Sequence, residues 1–348
     1  MNWFEQLTGF VEEGGEEGGE EGYATTQSRL RVEGDELVST VNGERYGIGE
    51  LTLPTLGELR ARVDPARGVR SSLSVLVGDV RELHADPAYE GALFQVASQF
   101  NLLEMVHERI TPEQGVARYA GDPTQGPACA IAAGAGTIYR NYLVPVGDGI
   151  GQTSGRQLDT LAGVGAGLSE AIGLPVERLW RMQNGYALCT SEGLAAIDAL
   201  LDGAGEDHLD GLRQRLAIGL HRDVEVTGAP GQRRPRVSQA YCSALPVGYS
   251  SLPHYSWERF GRLVLQAAYE ATLLAAVEQA AAGGSNKVLL TRLGGGAFGN
   301  GDGWINDAID RAVGIAADAG LEIFVVCFGR VDPGTRALVG RWSGSGPA

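Results

Sequence analysis

The sequence predicts an α/β protein with a mixed sheet covered by helices on its faces. Three observations predict it. Apolar runs of strand length alternate with segments of helical periodicity, as a parallel or mixed sheet requires. The hydrophobic fraction of 43% is ample for a core. Many of the 52 glycines fall where the apolar runs end, which suits loops at strand termini better than a helical bundle. At 348 residues the chain has room for one large domain or two modest ones. No internal repeat is apparent, and residues 29–348 read as one α/β domain.

The elements follow in order. Residues 12–22 repeat Glu-Glu and Gly-Gly, a run that repels itself, so 1–28 is expected to be a flexible acidic segment. Leu30 and Val32, then Leu37, Val38 and Thr40, flank Gly34-Asp35; Val41 and Tyr46 flank Asn42-Gly43. These hairpin signals predict an antiparallel meander ending near Pro54, inside an accessory region of 29–70. A helix is expected over 56–63. Strands are expected at 74–77, ending in Gly78-Asp79, and at 92–97, running into Ser98-Gln99-Phe100-Asn101. The small residues of 125–143 imply close packing against other backbone. Helices at 155–171, 192–202, 207–219 and 257–282 would make 145–285 a largely helical insertion. Val288 to Leu290 read as a buried strand running into Gly294-Gly295-Gly296. A helix over 304–319 and a strand over 321–328 complete the pattern.

Composition excludes several function classes. A net charge of −15 offers no basic field for a phosphate backbone, so general nucleic-acid affinity is not expected. The cluster Arg233, Arg234, Arg236 is too short to reverse that and reads as a solvated loop. Cys129, Cys189, Cys242 and Cys327 show no CxxC or zinc spacing, so neither a metal nor a disulfide is expected. Met1-Asn-Trp-Phe-Glu-Gln lacks the basic and apolar regions of a secretory signal. No apolar run reaches the ~18 residues of a membrane span. A soluble cytoplasmic protein without a cofactor is the expectation.

Four segments join small residues to polar groups where strands end: Gly78-Asp79, Ser98 to Asn101, Asp122-Pro-Thr-Gln125 with Gly126, and Gly294 to Asn300. In α/β folds ligands bind at the carboxyl ends of strands, so these loops are expected to share one cleft. An aspartate there can accept from an exocyclic amine such as adenine N6. Amides such as Gln99 and Asn101 can hold ribose hydroxyls or a water. The glycines let N–H groups approach a diphosphate at a helix N-terminus; a tight turn is the competing reading. Together these groups suit a nucleotide-like ligand.

Three of the segments, in order, resemble the macro-domain superfamily, especially its poly(ADP-ribose) glycohydrolase branch. Val75-Leu-Val-Gly-Asp-Val80 looks like the family's strand ending in Gly-Asp-Ile, whose aspartate reads adenine. Phe94-Gln-Val-Ala-Ser-Gln-Phe-Asn101 is similar to its Asn-Ala-Ala-Asn strand end. Leu293-Gly-Gly-Gly-Ala-Phe-Gly-Asn300 resembles its late diphosphate loop. The resemblance implies a macro-like three-layer fold. Its ligand would be ADP-ribose or an ADP-ribosylated macromolecule, bound by Gly78, Asp79, Gln99, Gly294, Gly295, Gly296, Ala297, Phe298, Gly299 and Asn300; Arg140, in Tyr139-Arg140-Asn141-Tyr142, is a candidate of its own for a phosphate or carboxylate. It also implies hydrolysis of an ADP-ribosyl glycosidic bond, or a non-catalytic reader of ADP-ribose. Two departures stand out. Ser98, Gln99 or Asn101 could hold the key amide position, and the family's three glycines followed by Gln-Glu-Glu do not follow Asn101.

Catalysis is therefore assigned to candidates in this chain: Asn101, Glu104, Asp122 and Gln125. Each has a plainer reading. Asn101 could be a turn asparagine, Glu104 a capping or solvent-facing residue, and Asp79 an N-cap. Arg140 could form a structural ion pair, and Phe298 could anchor its loop to the core. Gln183-Asn184-Gly185-Tyr186 reads as a turn. A separate class, a Cys129-dependent amidase or transferase, needs a base that only a distant histidine could supply.

Overall fold

The computed structural model describes residues 1–14, 19–231 and 234–343. Its centre is a seven-stranded mixed sheet. In chain order the strands are β1 (Glu50–Thr52), β2 (Ser72–Val77), β3 (Leu93–Ala97), β4 (Gly219–Glu225), β5 (Arg236–Cys242), β6 (Lys287–Leu290) and β7 (Glu322–Cys327). They lie in the order β1-β4-β5-β3-β6-β7-β2. The pairings β5 to β3, β3 to β6, β6 to β7 and β7 to β2 are parallel, while β1–β4 and β4–β5 are antiparallel. Six of the seven strands thus run the same way and end on the same edge of the sheet, and only β4 opposes them.

Alternation along the strands separates two cores. Leu93, Ala240, Val288, Leu290, Ile323 and Val325 face one core, completed by the long helix Glu258–Ala281 and by Asp302–Ile315. Phe94, Val96, Val237, Tyr241 and Leu289 face the other, with Val80, Cys129 and Ala132. These last belong to helices α1 (Val80–Ala85) and α2 (Gln125–Ala132). The expected three-layer arrangement is present. So is the meander, with strands Leu30–Glu33, Glu36–Ser39 and Arg45–Gly47. Its Asn42-Gly43 turn has Gly43 at φ +75°, a conformation that glycine reaches without steric cost.

Two expectations fail. Residues 1–28 are not a free tail. Trp3–Thr8 and Gly19–Ser28 are helices, and Trp3, Phe4, Phe10 and Tyr23 are buried with Ile138 and Tyr142. The Glu-Gly run itself carries no apolar surface, but the aromatics on either side of it do, and their burial anchors the segment. Glu12 accepts from the N–H groups of Val116 (2.9 Å) and Ala117 (2.7 Å) and from Tyr142 Oη (2.8 Å). Residues 15–18 of that run lie outside the described residues.

Residues 145–285 are not mainly helical either. The helix expected at 207–219 stops at Arg213, and Gly219 opens β4. Strand β5 is buried from Val237 to Cys242 and lies between β4 and β3. Its Ser238 and Gln239 disguise it, because buried polar residues break the apolar run by which a central strand is recognised. The Arg233–Arg236 cluster is not simply solvated: Arg234 pairs with Glu225 (3.0 Å) and Arg236 with Asp223 (2.7 Å). Arg233 lies outside the described residues. No helix among the described residues is long and apolar enough to cross a membrane.

Candidate functional site

Where β3, β6 and β7 end, a cavity of about 530 Å³ opens. Its floor is Ala97, Ser98 and Gln99 after β3, Thr291 to Leu293 after β6, and Val326 to Phe328 at the end of β7. One wall carries Glu104, Met105 and residues 121–127; the other carries Gly294, Gly296, Ala297 and Phe298. This is the strand-end crevice expected of an α/β sheet. Three of the four anticipated loops meet here.

Glu104 is the residue that stands out. It is 6% exposed, and its Oε1 has no hydrogen-bond partner among the described residues. Its backbone N–H donates to Tyr119 Oη (2.9 Å), which fixes the stem. Its Oε2 lies 2.5 Å from where a Cβ on Gly126 would sit, and Ala97 O is equally close. Only glycine at 126 leaves room for the carboxyl against the first turn of α2. Burial pushes the Glu104 carboxyl well above its usual range; Arg140 opposes that shift, and Asp122 adds to it. A carboxyl kept neutral in a cleft is a proton donor in waiting.

The rest of this wall is partly spoken for. Asp122 Oδ1 accepts from Thr124 N–H (2.8 Å). Gln125 Oε1 accepts from Val80 N–H (3.0 Å), joining α1 to α2. Gln99 is bound twice to Met105, accepting from its N–H (2.8 Å) and donating to its carbonyl (3.1 Å), which closes the loop that delivers Glu104. Ser98 Oγ donates to Gln99 O (2.9 Å). The amide of Gln99 therefore builds the site, and its remaining capacity for ligand is small.

The glycine loop presents backbone. Gly294 (φ +73°) and Gly299 (φ +69°) hold left-handed turns. A Cβ on Gly294 would meet Ala244 Cβ at 2.5 Å, whereas one on Gly296 would meet nothing within 4 Å. Gly295 N–H is used internally, donating to Arg292 O (3.1 Å), and Gly248 N–H pins the loop at Phe298 O (2.8 Å). Among the described residues, the N–H groups of Gly296, Ala297 and Phe298 find no acceptor, just before helix Asp302–Ile315 begins. Free N–H groups ahead of a helix start form an anion cradle. Phe298 packs on Tyr186 (5.3 Å) and Tyr249 (5.6 Å), so it anchors the loop and contributes to an aromatic wall at the same time.

Several expected contacts do not reach the cavity lining. Asp79 is the N-cap of α1, its Oδ1 accepting from Arg81 N–H (2.8 Å), and Gly78 is bonded to Cys327 O (3.1 Å). Asn101 is fully buried; it donates to Gln157 (2.8 Å) and accepts from Leu103 N–H (3.1 Å). Asn300 Nδ2 donates to Leu245 O (2.8 Å) and ties the loop down. Gly295 and Gly299 shape the loop behind the lining. Arg140 is buried, and among the described residues its side chain forms hydrogen bonds to neutral groups and no ion pair, as taken up below. Cys129 is 3% exposed and does not line the cavity, and burial pushes its thiol well above its usual range. That environment removes the thiolate a cysteine nucleophile needs.

Sequence reasoning missed Tyr249, Phe328 and Arg330 and read Tyr186 as part of a turn; all four line the cavity. Asn184-Gly185 closes the hairpin Trp180–Gln183 with Tyr186–Cys189, which carries Tyr186 to the cavity. Among the described residues no group of His, Cys, Asp and Glu is spaced to hold a metal ion.

No family model matches the chain, and no curated protein is similar to it. Among solved structures it is similar to poly(ADP-ribose) glycohydrolase from Deinococcus radiodurans in complex with ADP-ribose. The identity is 12% over 85% of this chain and 94% of that one, with a TM-score of 0.45. It is also similar to the Thermomonospora curvata enzyme bound to the inhibitor ADP-HPD, at 11% identity over 92% and 96% of the two chains and a TM-score of 0.44. At these values the likeness decides nothing about this chain, whose fold and site stand on their own geometry.

Proposed function

We propose that the cavity binds ADP-ribose, free or attached to a macromolecule, and that the chain hydrolyses an ADP-ribosyl glycosidic bond. The observation that carries this reading is a buried carboxyl facing a backbone anion cradle across one cavity. The diphosphate occupies the N–H groups of Gly296, Ala297 and Phe298, and the aromatic wall of Tyr186, Tyr249 and Phe298 backs the sugar. Glu104 gives its proton to the leaving oxygen as the bond from the ribose anomeric carbon to that oxygen breaks. Water then adds to the carbon, and its proton passes to Asp122 at the mouth, or back to Glu104 to restore the acid. Gln125, whose Nε2 has no protein partner among the described residues, orients that water. The strand-end motifs read from the sequence support the same ligand, with the glycine loop as the closest match.

The non-catalytic reader remains the second reading, favoured by one observation: the glycohydrolase signature with its glutamates is missing, and Gly126-Pro127 stand at the start of α2. Calorimetry with ADP-ribose, followed by release assays on ADP-ribosylated protein and nucleic acid, separates the two. Binding with turnover supports the enzyme. Binding without turnover on any acceptor identifies a reader, and failure to bind ADP-ribose at millimolar concentration overturns both.

A further inference from the structure

Arg140 is a cation in a place that ordinarily excludes one. It is 1% exposed, and each hydrogen bond from its side chain goes to a neutral group. Nε donates to the Leu102 carbonyl (3.2 Å), Nη1 to His221 Nδ1 (3.1 Å) and Nη2 to Thr137 Oγ1 (2.9 Å). The guanidinium lies 3.8 Å over the Tyr241 ring. Burying a charge without a counter-charge costs several kcal/mol, so a charge partner is called for, and Glu104 is two residues beyond the carbonyl that Arg140 holds. Leu102 has φ +64°, a conformation that costs a non-glycine residue ~1 kcal/mol or more. The bond from Arg140 therefore holds in place the strained turn from which Glu104 emerges.

We propose that Arg140 is a positioning residue for Glu104: it holds the Leu102 turn and supplies the counter-charge against which the carboxyl gains and loses its proton. The catalytic consequence rests on Glu104 being the acid of the proposed reaction; the electrostatic pairing belongs to the folded chain alone. Two charged groups act on Glu104: Arg140 from helix Gly134–Tyr142, and Asp122. Tyr119, Cys129 from α2, Tyr186 from the hairpin and Tyr241 from β5 are the titratable groups that its charge reaches in turn. Arg140 is the one cation in that set. His221 does not compete, because burial and then Arg140 itself hold its imidazole well below the usual range, leaving it neutral and accepting.

The test follows the Glu104 carboxyl by carbon NMR against pH in the full chain, with Glu104→Gln to assign the signal. In Arg140→Met the carboxyl should bind its proton at least about tenfold more tightly, one pH unit, and Arg140→Lys should restore most of the shift. An unchanged titration in folded Arg140→Met overturns the proposal. If that variant does not fold, the guanidinium Nε resonance of Arg140 in the unmodified chain decides. It should move over the same pH range as the Glu104 carboxyl and stay flat in Glu104→Gln; no movement in the unmodified chain overturns the pairing. If the chain hydrolyses its substrate, the alkaline limb of the rate profile moves to higher pH in Arg140→Met. Coupled titration without hydrolysis leaves the pairing standing and counts against the enzymatic reading.

Discussion

On one wall of the cavity, Glu104 is a side chain withdrawn from water, with one carboxyl oxygen left without a partner among the described residues. On the other, Gly296, Ala297 and Phe298 offer N–H groups from an exposed or half-exposed loop. The first wall stores its chemistry in burial, the second in backbone geometry. The difference teaches how each can fail. A buried carboxyl depends on everything packed around it, so its function is sensitive to changes that never touch a ligand. A backbone cradle depends only on its own φ angles and on empty space in front of it.

The largest effect should come from the buried wall. Glu104→Gln keeps the shape and removes the proton, so turnover should fall by ~10²–10⁴-fold, the usual worth of a positioned acid. Affinity for ADP-ribose should change little. Single-turnover kinetics beside calorimetry reads both, and full activity in Glu104→Gln would remove Glu104 from the mechanism. Gly126→Ala is next. Its Cβ would lie 2.5 Å from both Ala97 O and Glu104 Oε2, so backbone or carboxyl must move. Stability should drop by ~1–3 kcal/mol and activity should be largely lost, although no ligand contact is removed. A stable, active Gly126→Ala protein would mean that the carboxyl does not need its present seat.

The glycine wall should respond to two substitutions in opposite ways. Gly296→Val places its side chain in open space, so the melting temperature should hold while ADP-ribose binding weakens at least tenfold, about 1.4 kcal/mol. Gly299→Ala forces a left-handed φ of +69° on an alanine and should cost ~1–2 kcal/mol of stability, with affinity of the folded fraction retained. Thermal melts and ligand titrations on both proteins measure this. If Gly296→Val binds normally, the loop is a turn and the cradle reading is lost.

The two walls were also unequally legible in the sequence. Gly294 to Gly299 were readable because glycine clusters betray themselves by type, and the strand before them by its unbroken apolar run. Within that loop, type alone could not tell Gly296, which faces the cavity, from Gly295, whose N–H is turned inward. Glu104 was readable only as one candidate among several. Nothing local marks it as buried, since its surroundings come from Tyr119, Gly126 and Arg140, far along the chain. Asp79 and Asn101 show the same limit in reverse. Both sit at strand ends, where local signals cannot distinguish a ligand contact from a cap or a turn. The sheet was legible except for β4, which opens where a helix was expected, and β5, whose polar interior residues find partners in other elements, as when Gln239 donates to Cys129 O (3.1 Å).

The smallest effect sharpens the comparison without any ligand. The folded-state proton affinity of Glu104 is raised by burial, so the folded chain holds this proton at pH values where the unfolded chain has released it. A group of that kind contributes its full stability below the unfolded pKa and loses it progressively as pH rises toward the folded one. Glutamine never ionises. Glu104→Gln should therefore match the unmodified chain most closely in acid and become the more stable of the two as pH rises. The gap should be a few degrees at most, since ~1 kcal/mol moves the melting temperature by roughly 2 °C in a chain of this size. Melts of both proteins across the same pH series test it. A gap that stays constant with pH would mean that Glu104 titrates alike in both states, and the distinction between a buried chemical wall and an open backbone wall would then fail on its first side.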